Sequence, residues 1–346
     1  MMGDLEYLGA DRVIEPAGAL PQGAWKIDGG PPLRKHELRI EVEALCLDST
    51  SFRQLSEAND GDPQAIAGAI AGIVEERGKM HNPVTGSGGV LIGTVIEAGG
   101  DLNDPPSPGQ RVVTLASLSL TPLTLSEVGP VDPGSPQVPV RGEAFLMGAA
   151  PWAECPEDID LPTALAALDV CGAASQTDAL ADEGDTVFVL GAGHAGKIAA
   201  AAARHAIGDE GKIVVMDADP GACRVIEGLG FADQVIEADL RDSIGTLKKV
   251  REAGFERADL TIVVVNATGC EATSILLTDD GGSVLFFSMA TSFTAAALGS
   301  EGVSSQARML VGSGYAPDRG HYALELLRRH PELRSSLSPN HQEAGQ

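Results

Sequence analysis

The stretch TVFVLGAGHAGKIAAAAARHA, residues 186–206, carries two overlapping phosphate-loop patterns. Gly191, Gly193 and Gly196 have the G-x-G-x-x-G spacing of a dinucleotide loop, while Gly191 and Gly196-Lys197 begin an NTPase P-loop. A P-loop needs Ser or Thr after its lysine, because that hydroxyl ligates Mg²⁺. Here the position is Ile198, which has no oxygen to offer. The dinucleotide reading finds its full context: an apolar run before the loop, an Ala-rich helix after it, and Asp217 closing a second strand, KIVVMDAD. In this reading Gly191 permits the tight turn, Gly193 lets a pyrophosphate approach the backbone, and Gly196 packs the helix against the strand. His194, Ala195 and Gly196 then open a helix whose free N–H groups favour an anion. Asp217 is expected to accept the ribose hydroxyls and repel a 2′-phosphate, so NAD is the expected cofactor. Asn266 and Ser288 follow later strands, at the carboxyl end of the sheet where nicotinamide contacts lie.

Working outward, the chain from 156 to 346 alternates apolar strand runs with helical segments, which implies an α/β unit with a doubly wound parallel sheet. Its segments include the helical LPTALAALDVCGAASQTDAL, the strand GGSVLFFSM, the strand ARMLVGSGY, and a last helix HYALELLRR followed by a polar tail expected to fray. Residues 1–155 read differently. LRIEVEALCLDSTSF (38–52) alternates like a half-buried strand, 62–79 has helical spacing, and 82–101 is a Gly-rich loop feeding a strand. With a further strand in 107–123 the first domain reads as β-rich, and the Pro-rich VGPVDPGSPQVPVRG (128–142) reads as loop.

Composition narrows the partners. A net charge of −25 argues against nucleic acid and anionic membranes, whose phosphates would be repelled. The simplest source of that charge is a solubilising surface; salt adaptation or attraction of a cationic substrate are alternatives. No run approaches the roughly 18 apolar residues of a membrane helix. The acidic start MMGDLEYLGADR lacks a secretory pattern, and five cysteines stand singly, so the expected location is the cytoplasm. A homo-oligomer acting on a small molecule is the expected form.

With the cofactor placed, the order of segments becomes informative. A β-rich region, SPGQRVV, a helix ending in DVCGAAS, and EGDTVFVLGAG resemble the medium-chain dehydrogenase/reductase superfamily. That resemblance implies a GroES-like first domain joined to a Rossmann domain, with the reaction in the cleft between them. Zinc members carry Cys and Gly-His-Glu where this chain has Asp48 and Gly86-Ser87-Gly88, and Cys171 alone cannot build a tetrahedral site. No metal is therefore expected. RVIEPAGALPQ (12–22), ALCLDSTSFRQL (44–55), GKMHNPVTGSGGVLIGTV (78–95), SLSLTPL (117–123) and FFSMATSFTAAALGSEGV (286–303) resemble the L-erythro-3,5-diaminohexanoate dehydrogenase family over nearly the whole chain. The resemblance implies NAD-dependent oxidative deamination of that diamino acid to 5-amino-3-oxohexanoate in lysine fermentation. The C-terminus is expected to lack a strand returning to the first domain, a departure from typical medium-chain enzymes but not from this family.

Such a reaction needs a base for the ammonium proton, a cation for the carboxylate, and an acceptor for the second ammonium. Asp48 is the leading candidate for an ammonium contact or base; it also reads as a turn cap in LDSTS. Lys79 and His81 could bind carboxylate and shuttle protons, or be a solvated helix end and a structural hydrogen-bonder. Ser87, in the same Gly-rich loop, completes the candidate set. FFSMATSF could equally be a buried strand end with capping hydroxyls. Two other functions remain open at this point: a zinc-independent alcohol or quinone oxidoreductase, and a nonenzymatic NAD(H) sensor.

Overall fold

The computed structural model describes residues 2–312 and 319–338. The chain divides into two compact units, Met1–Glu157 and Asp158–Gln346.

The first unit runs α1 (Met2–Tyr7), β1 (Val13–Glu15), β2 (Lys26–Ile27), β3 (Glu37–Cys46), α2 (Ser49–Ala58), α3 (Pro63–Arg77), β4 (Val90–Ala98), β5 (Arg111–Thr114), β6 (Leu123–Val128), β7 (Gln137–Met147) and β8 (Trp152–Glu154). Six strands form one antiparallel sheet in the order β6-β7-β3-β4-β5-β8. Ile40, Val42 and Leu45 of β3 enter a core shared with Leu91 and Val95 of β4 and with Ile66, Ile70 and Val74 of α3. Asp62 caps α3 by accepting from Gln64 N at 2.8 Å, and Pro63 fits the first turn because its missing N–H would have no helical partner.

The loop expected over 128–142 is corrected at its second half: from Gln137 the chain is β7, which pairs with both β3 and β6. Pro136 and Pro139 suggest a break, yet Pro139 lies opposite Ala44, where the β3–β7 register shifts. Its carbonyl accepts from Gly129 N at 2.8 Å, and a proline is tolerated at such a bulge. The N-terminal segment is anchored by Arg12, fully buried with Glu37 at 2.6 Å and stacked 4.5 Å from the centroid of Phe145.

The second unit runs α4 (Leu161–Asp169), α5 (Cys171–Leu180), β9 (Thr186–Leu190), α6 (His194–Ile207), β10 (Lys212–Asp217), α7 (Pro220–Leu229), β11 (Gln234–Glu237), α8 (Ser243–Glu252), β12 (Ala258–Val263), α9 (Glu271–Leu277), β13 (Thr278–Phe286), α10 (Phe293–Val303), β14 (Arg308–Val311), α11 (Arg319–Arg329) and α12 (Pro331–Leu337). Its sheet is parallel throughout, ordered β11-β10-β9-β12-β13-β14. That is the 3-2-1-4-5-6 order of a doubly wound sheet, reversing between β9 and β12. Val187 to Leu190 and Ile213 to Met216 are fully buried, as expected of parallel strands covered on both faces.

Two expectations change here. The helix over LPTALAALDVCGAASQTDAL is two helices, interrupted at Val170. The tail after HYALELLRR does not simply fray: Pro331–Leu337 folds as α12, with Leu333 and Leu337 buried. The remainder of that tail, 339–346, lies outside the described residues, as does the end of ARMLVGSGY beyond 312. Among the described residues, no helix is long and apolar enough to cross a membrane.

Candidate functional site

Two groups of residues carry chemistry, one in each unit. In the second unit, β9 ends in Gly191 at φ +116°, a conformation that L side chains rarely adopt. A Cβ there would lie 2.8 Å from Val265 N, and one at Gly196 would lie 1.9 Å from Gly191 O. Both glycines are therefore required by close packing. Gly193 is different: it is exposed, with open space where its side chain would be. It is the N-cap of α6 and, having no side chain, gives the first turn no side-chain capping bond. That combination of open backbone and uncapped helix N-terminus fits a dinucleotide pyrophosphate.

Asp217 ends β10 and is half-buried. Its Oδ2 accepts from Ala192 N at 2.7 Å and its Oδ1 from Asp219 N at 2.9 Å. The carboxylate is thus held against the glycine loop itself, with lone pairs left for ribose hydroxyls. Lys197, the residue that made a P-loop conceivable, is turned elsewhere. Its Nζ is nearly buried and donates to Ser336 O at 2.9 Å, at the C-terminal end of α12. Burial also lowers its pKa. His194 is pushed down to about 4 by burial, with Lys197 adding to the effect, so its imidazole is neutral at physiological pH.

At the carboxyl end of the sheet, Asn266 is exposed in the loop after β12. Ser288 follows β13, where its N–H donates to Val263 O at 3.0 Å and its Oγ accepts from Ala290 N at 3.1 Å. The loop carrying Ser288 has an anchor that sequence reasoning missed. Glu271, the first residue of α9 and 3% exposed, accepts from Ser292 N at 2.7 Å through Oε1. Nothing in the periodicity marks it, because its partner comes from the loop after the next strand.

In the first unit, Asp48 lies between β3 and α2. It is the N-cap of α2, accepting from Ser51 N at 2.9 Å through Oδ1, and its Oδ2 accepts from Ser87 Oγ at 2.6 Å. The cap reading is met, and the second carboxylate oxygen is engaged by Ser87. Ser51 Oγ is fully buried, 2.8 Å from Ser87 Oγ and hydrogen-bonded to Thr85 Oγ1. Thr85 Oγ1 lies 3.2 Å from Ser87 Oγ. The loop that presents these hydroxyls is folded by Asn82, whose Oδ1 accepts from Val84 N at 2.8 Å while its Nδ2 donates to Gln54 Oε1 at 2.9 Å. Asn82, Ser51, Thr85 and Gln54 were not among the sequence candidates.

Lys79 departs from both of its sequence readings. It is fully buried, and its Nζ donates to Pro21 O at 2.7 Å. Burial, with Arg77 nearby, pushes its pKa down to about 8. A lysine so placed braces the segment around Pro21 and presents no ammonium to solvent. His81 is half-buried, its pKa lowered by burial and by Lys79 and Arg77, and its Nδ1 is buried with no hydrogen-bond partner. Arg77 stacks 3.6 Å from the Trp25 ring centroid and donates to His81 O at 2.9 Å. The structure thus joins Asp48 to Ser87 by a direct bond and gives Lys79 a separate, structural set of partners. A concavity of about 710 Å³ on the same unit's sheet, lined by Glu41, Glu43, Arg141 and Glu143, involves none of these residues.

Among the described residues, no three of His, Cys, Asp and Glu are grouped to hold a metal ion. Cys171 is fully buried, and burial pushes its thiol up to about 12.

Comparison with known proteins is then direct. Residues 11–156 match the model of the L-erythro-3,5-diaminohexanoate dehydrogenase N-terminal domain. The chain is 41% identical over 333 residues to L-erythro-3,5-diaminohexanoate dehydrogenase of Acetoanaerobium sticklandii, covering 95% of this chain and 97% of that one. It is 40% identical over 330 residues to the enzyme of the same name from Fusobacterium nucleatum, covering 94% and 96%. Among solved structures, an alcohol dehydrogenase of Thermotoga maritima superposes with a TM-score of 0.54 at 14% identity, covering 89% of this chain and 86% of that one. This last likeness is one of fold, a GroES-like unit followed by a Rossmann unit. On the first two, the chain belongs to the L-erythro-3,5-diaminohexanoate dehydrogenase family.

Proposed function

We propose that this chain is an NAD-dependent amine dehydrogenase that converts L-erythro-3,5-diaminohexanoate to 5-amino-3-oxohexanoate. The observation that carries the reading is the 41% identity to the Acetoanaerobium sticklandii enzyme across 95% of the chain. The Rossmann loop supports a nicotinamide cofactor, and the fixed Asp217 carboxylate supports NAD over NADP, since it would repel a 2′-phosphate.

Bound NAD⁺ supplies the hydride acceptor. Gly193 and the first turn of α6 would hold its pyrophosphate, and Asp217 would hold its ribose. The substrate ammonium must lose a proton for hydride to leave its carbon, giving an iminium that water hydrolyses to the ketone and ammonium. We assign that proton to Asp48, whose oxygens each accept one protein hydrogen bond and keep further lone pairs. The acidic surface, at a net charge of −25, suits a substrate with two ammonium groups and one carboxylate. We further read the protein as a cytoplasmic homo-oligomer. Its free cysteines support the first part, and exposed Phe293, Leu298 and Val311 support the second.

The test is NADH formation by the purified protein with the diamino acid, against a panel of alcohols, quinones and simple amines. Turnover confined to the diamino acid is expected; preferred turnover of an alcohol or quinone, or NADH binding without turnover, overturns the reading. Asp48→Asn should lower kcat/KM by at least about tenfold through loss of one charge-assisted contact, with NAD affinity nearly unchanged.

A further inference from the structure

We propose that Thr85, Ser51 and Ser87 form a proton relay that drains Asp48 to solvent, and that Ser51 and Thr85 serve turnover without touching substrate. The proposal rests on the assignment of Asp48 as the group that takes the ammonium proton.

Proton counting fixes the direction of the chain. An ionised carboxylate only accepts, so Ser87 Oγ spends its single proton on Asp48 Oδ2 at 2.6 Å. Toward Ser51, 2.8 Å away, Ser87 can then only accept, so Ser51 donates to it. Ser51 in turn must accept from Thr85. Keeping the two shorter contacts in place of the 3.2 Å one between Thr85 and Ser87 sets the resting order as Thr85 to Ser51 to Ser87 to Asp48, with Ser51 fully buried. The far end is wetter. Thr85 is half-buried, beside Val84, which is 69% exposed, and Gly86, which is exposed.

The turnover step balances. An N–H bond of the ammonium breaks and its proton joins the Asp48 carboxylate, leaving the electron pair on nitrogen. Asp48 is now a donor, so Ser87, Ser51 and Thr85 each rotate to point away from it. The proton then passes from Asp48 to Ser87 as Ser87 gives its own to Ser51, Ser51 to Thr85, and Thr85 to water. Each hydroxyl ends with one proton, pointing back toward Asp48, which is the resting order. Only protons move; no redox change occurs in the chain. The two serines and the threonine come from two segments more than 30 residues apart, α2 and the loop ordered by Asn82. A loop that needed only to close on α2 could use any one of these bonds.

The experiment measures NADH formation, in single-turnover and steady-state runs, with the intact enzyme and the diamino acid for wild type, Ser51→Ala, Thr85→Val, Thr85→Ser and Asp48→Asn. Folding of each is checked by circular dichroism. Expected are rates lowered at least about tenfold in Ser51→Ala and Thr85→Val, with substrate and NAD KM within about twofold, and near wild-type rates in Thr85→Ser. Rates across mixtures of water and deuterium oxide should be bowed for wild type, as several protons in motion require, and linear for Ser51→Ala. A linear wild-type profile overturns the relay. So does loss in Ser51→Ala and Thr85→Val that falls on KM alone, or normal turnover in both. Should Ser51→Ala not fold, Thr85→Val against Thr85→Ser decides the question. If Asp48→Asn runs at the wild-type rate, the Asp48 assignment itself has failed. If it is impaired while Ser51→Ala and Thr85→Val are normal, only the relay has.

Discussion

Replacing Lys79 with methionine should flatten the alkaline limb of this protein's stability profile. The ammonium is fully buried, and its hydrogen bonds go to the neutral carbonyls of Pro21 and Gln22. Burial is the main reason its pKa falls from 10.5 to about 8. A group whose folded pKa is depressed binds fewer protons folded than unfolded throughout the interval between the two values. Stability must therefore rise with pH across that interval, and the penalty of the buried charge is in full force below it. At 1.36 kcal/mol per pKa unit, the drop from 10.5 to about 8 corresponds to roughly 3 kcal/mol. Methionine spans the aliphatic stem of lysine but cannot titrate, so its profile lacks this contribution. Urea unfolding of both proteins between about pH 7.5 and pH 10.5 should give a wild-type advantage that grows by roughly 3 kcal/mol as pH rises. Parallel profiles would mean that Lys79 titrates as an ordinary surface lysine and that its burial has been misread.

Asp217→Ala should narrow the preference for NAD over NADP by about ten- to a hundredfold, the worth of one charge-assisted contact, read from kcat/KM for each cofactor; better wild-type activity with NADP would sink the role of Asp217. Lys197→Met should change the NAD dissociation constant by no more than about threefold, under 1 kcal/mol, because its ammonium faces Ser336 O and not the glycine loop. A tenfold weaker NAD complex in calorimetry would return that lysine to the phosphate site. Dialysis against a strong chelator should leave turnover unchanged, since among the described residues no three of His, Cys, Asp and Glu are grouped to hold a metal ion, and Asp48 is engaged by Ser87 at 2.6 Å; activity that follows a stoichiometric metal out and back in would refute this.

Much of the second unit was legible in residue order. The glycines at 191, 193 and 196 answer to backbone sterics within one turn, and Asp217 lies at a fixed strand-and-helix distance from them, so spacing alone carries the reading. The parallel sheet followed from the alternation of apolar runs with helical ones. β7 was half hidden, because Pro139 reads as a breaker until the bulge opposite Ala44 makes its missing N–H harmless. Helix α12 was hidden for a different reason. Seven residues with few apolar side chains carry little periodicity, and their end is anchored by a lysine from far away in sequence.

The first unit's site divides along the same line. Asp48 and Ser87 could be picked out because each sits at a recognisable place in a motif, a strand end and a Gly-rich loop. That the two bond to each other, that Ser51 and Thr85 join them, and that Lys79 turns inward to Pro21 could not be read from order. Local backbone demands, such as a left-handed turn, a helix start or an alternating strand, involve neighbours within a few residues, and the sequence by itself determines them. Which donor meets which acceptor across 30 or 60 residues depends on how β3, α2 and the loops pack. A serine hydroxyl or a lysine ammonium looks the same in sequence whether it faces water, a carbonyl or a carboxylate; only the tertiary structure decides its partner and so its chemistry.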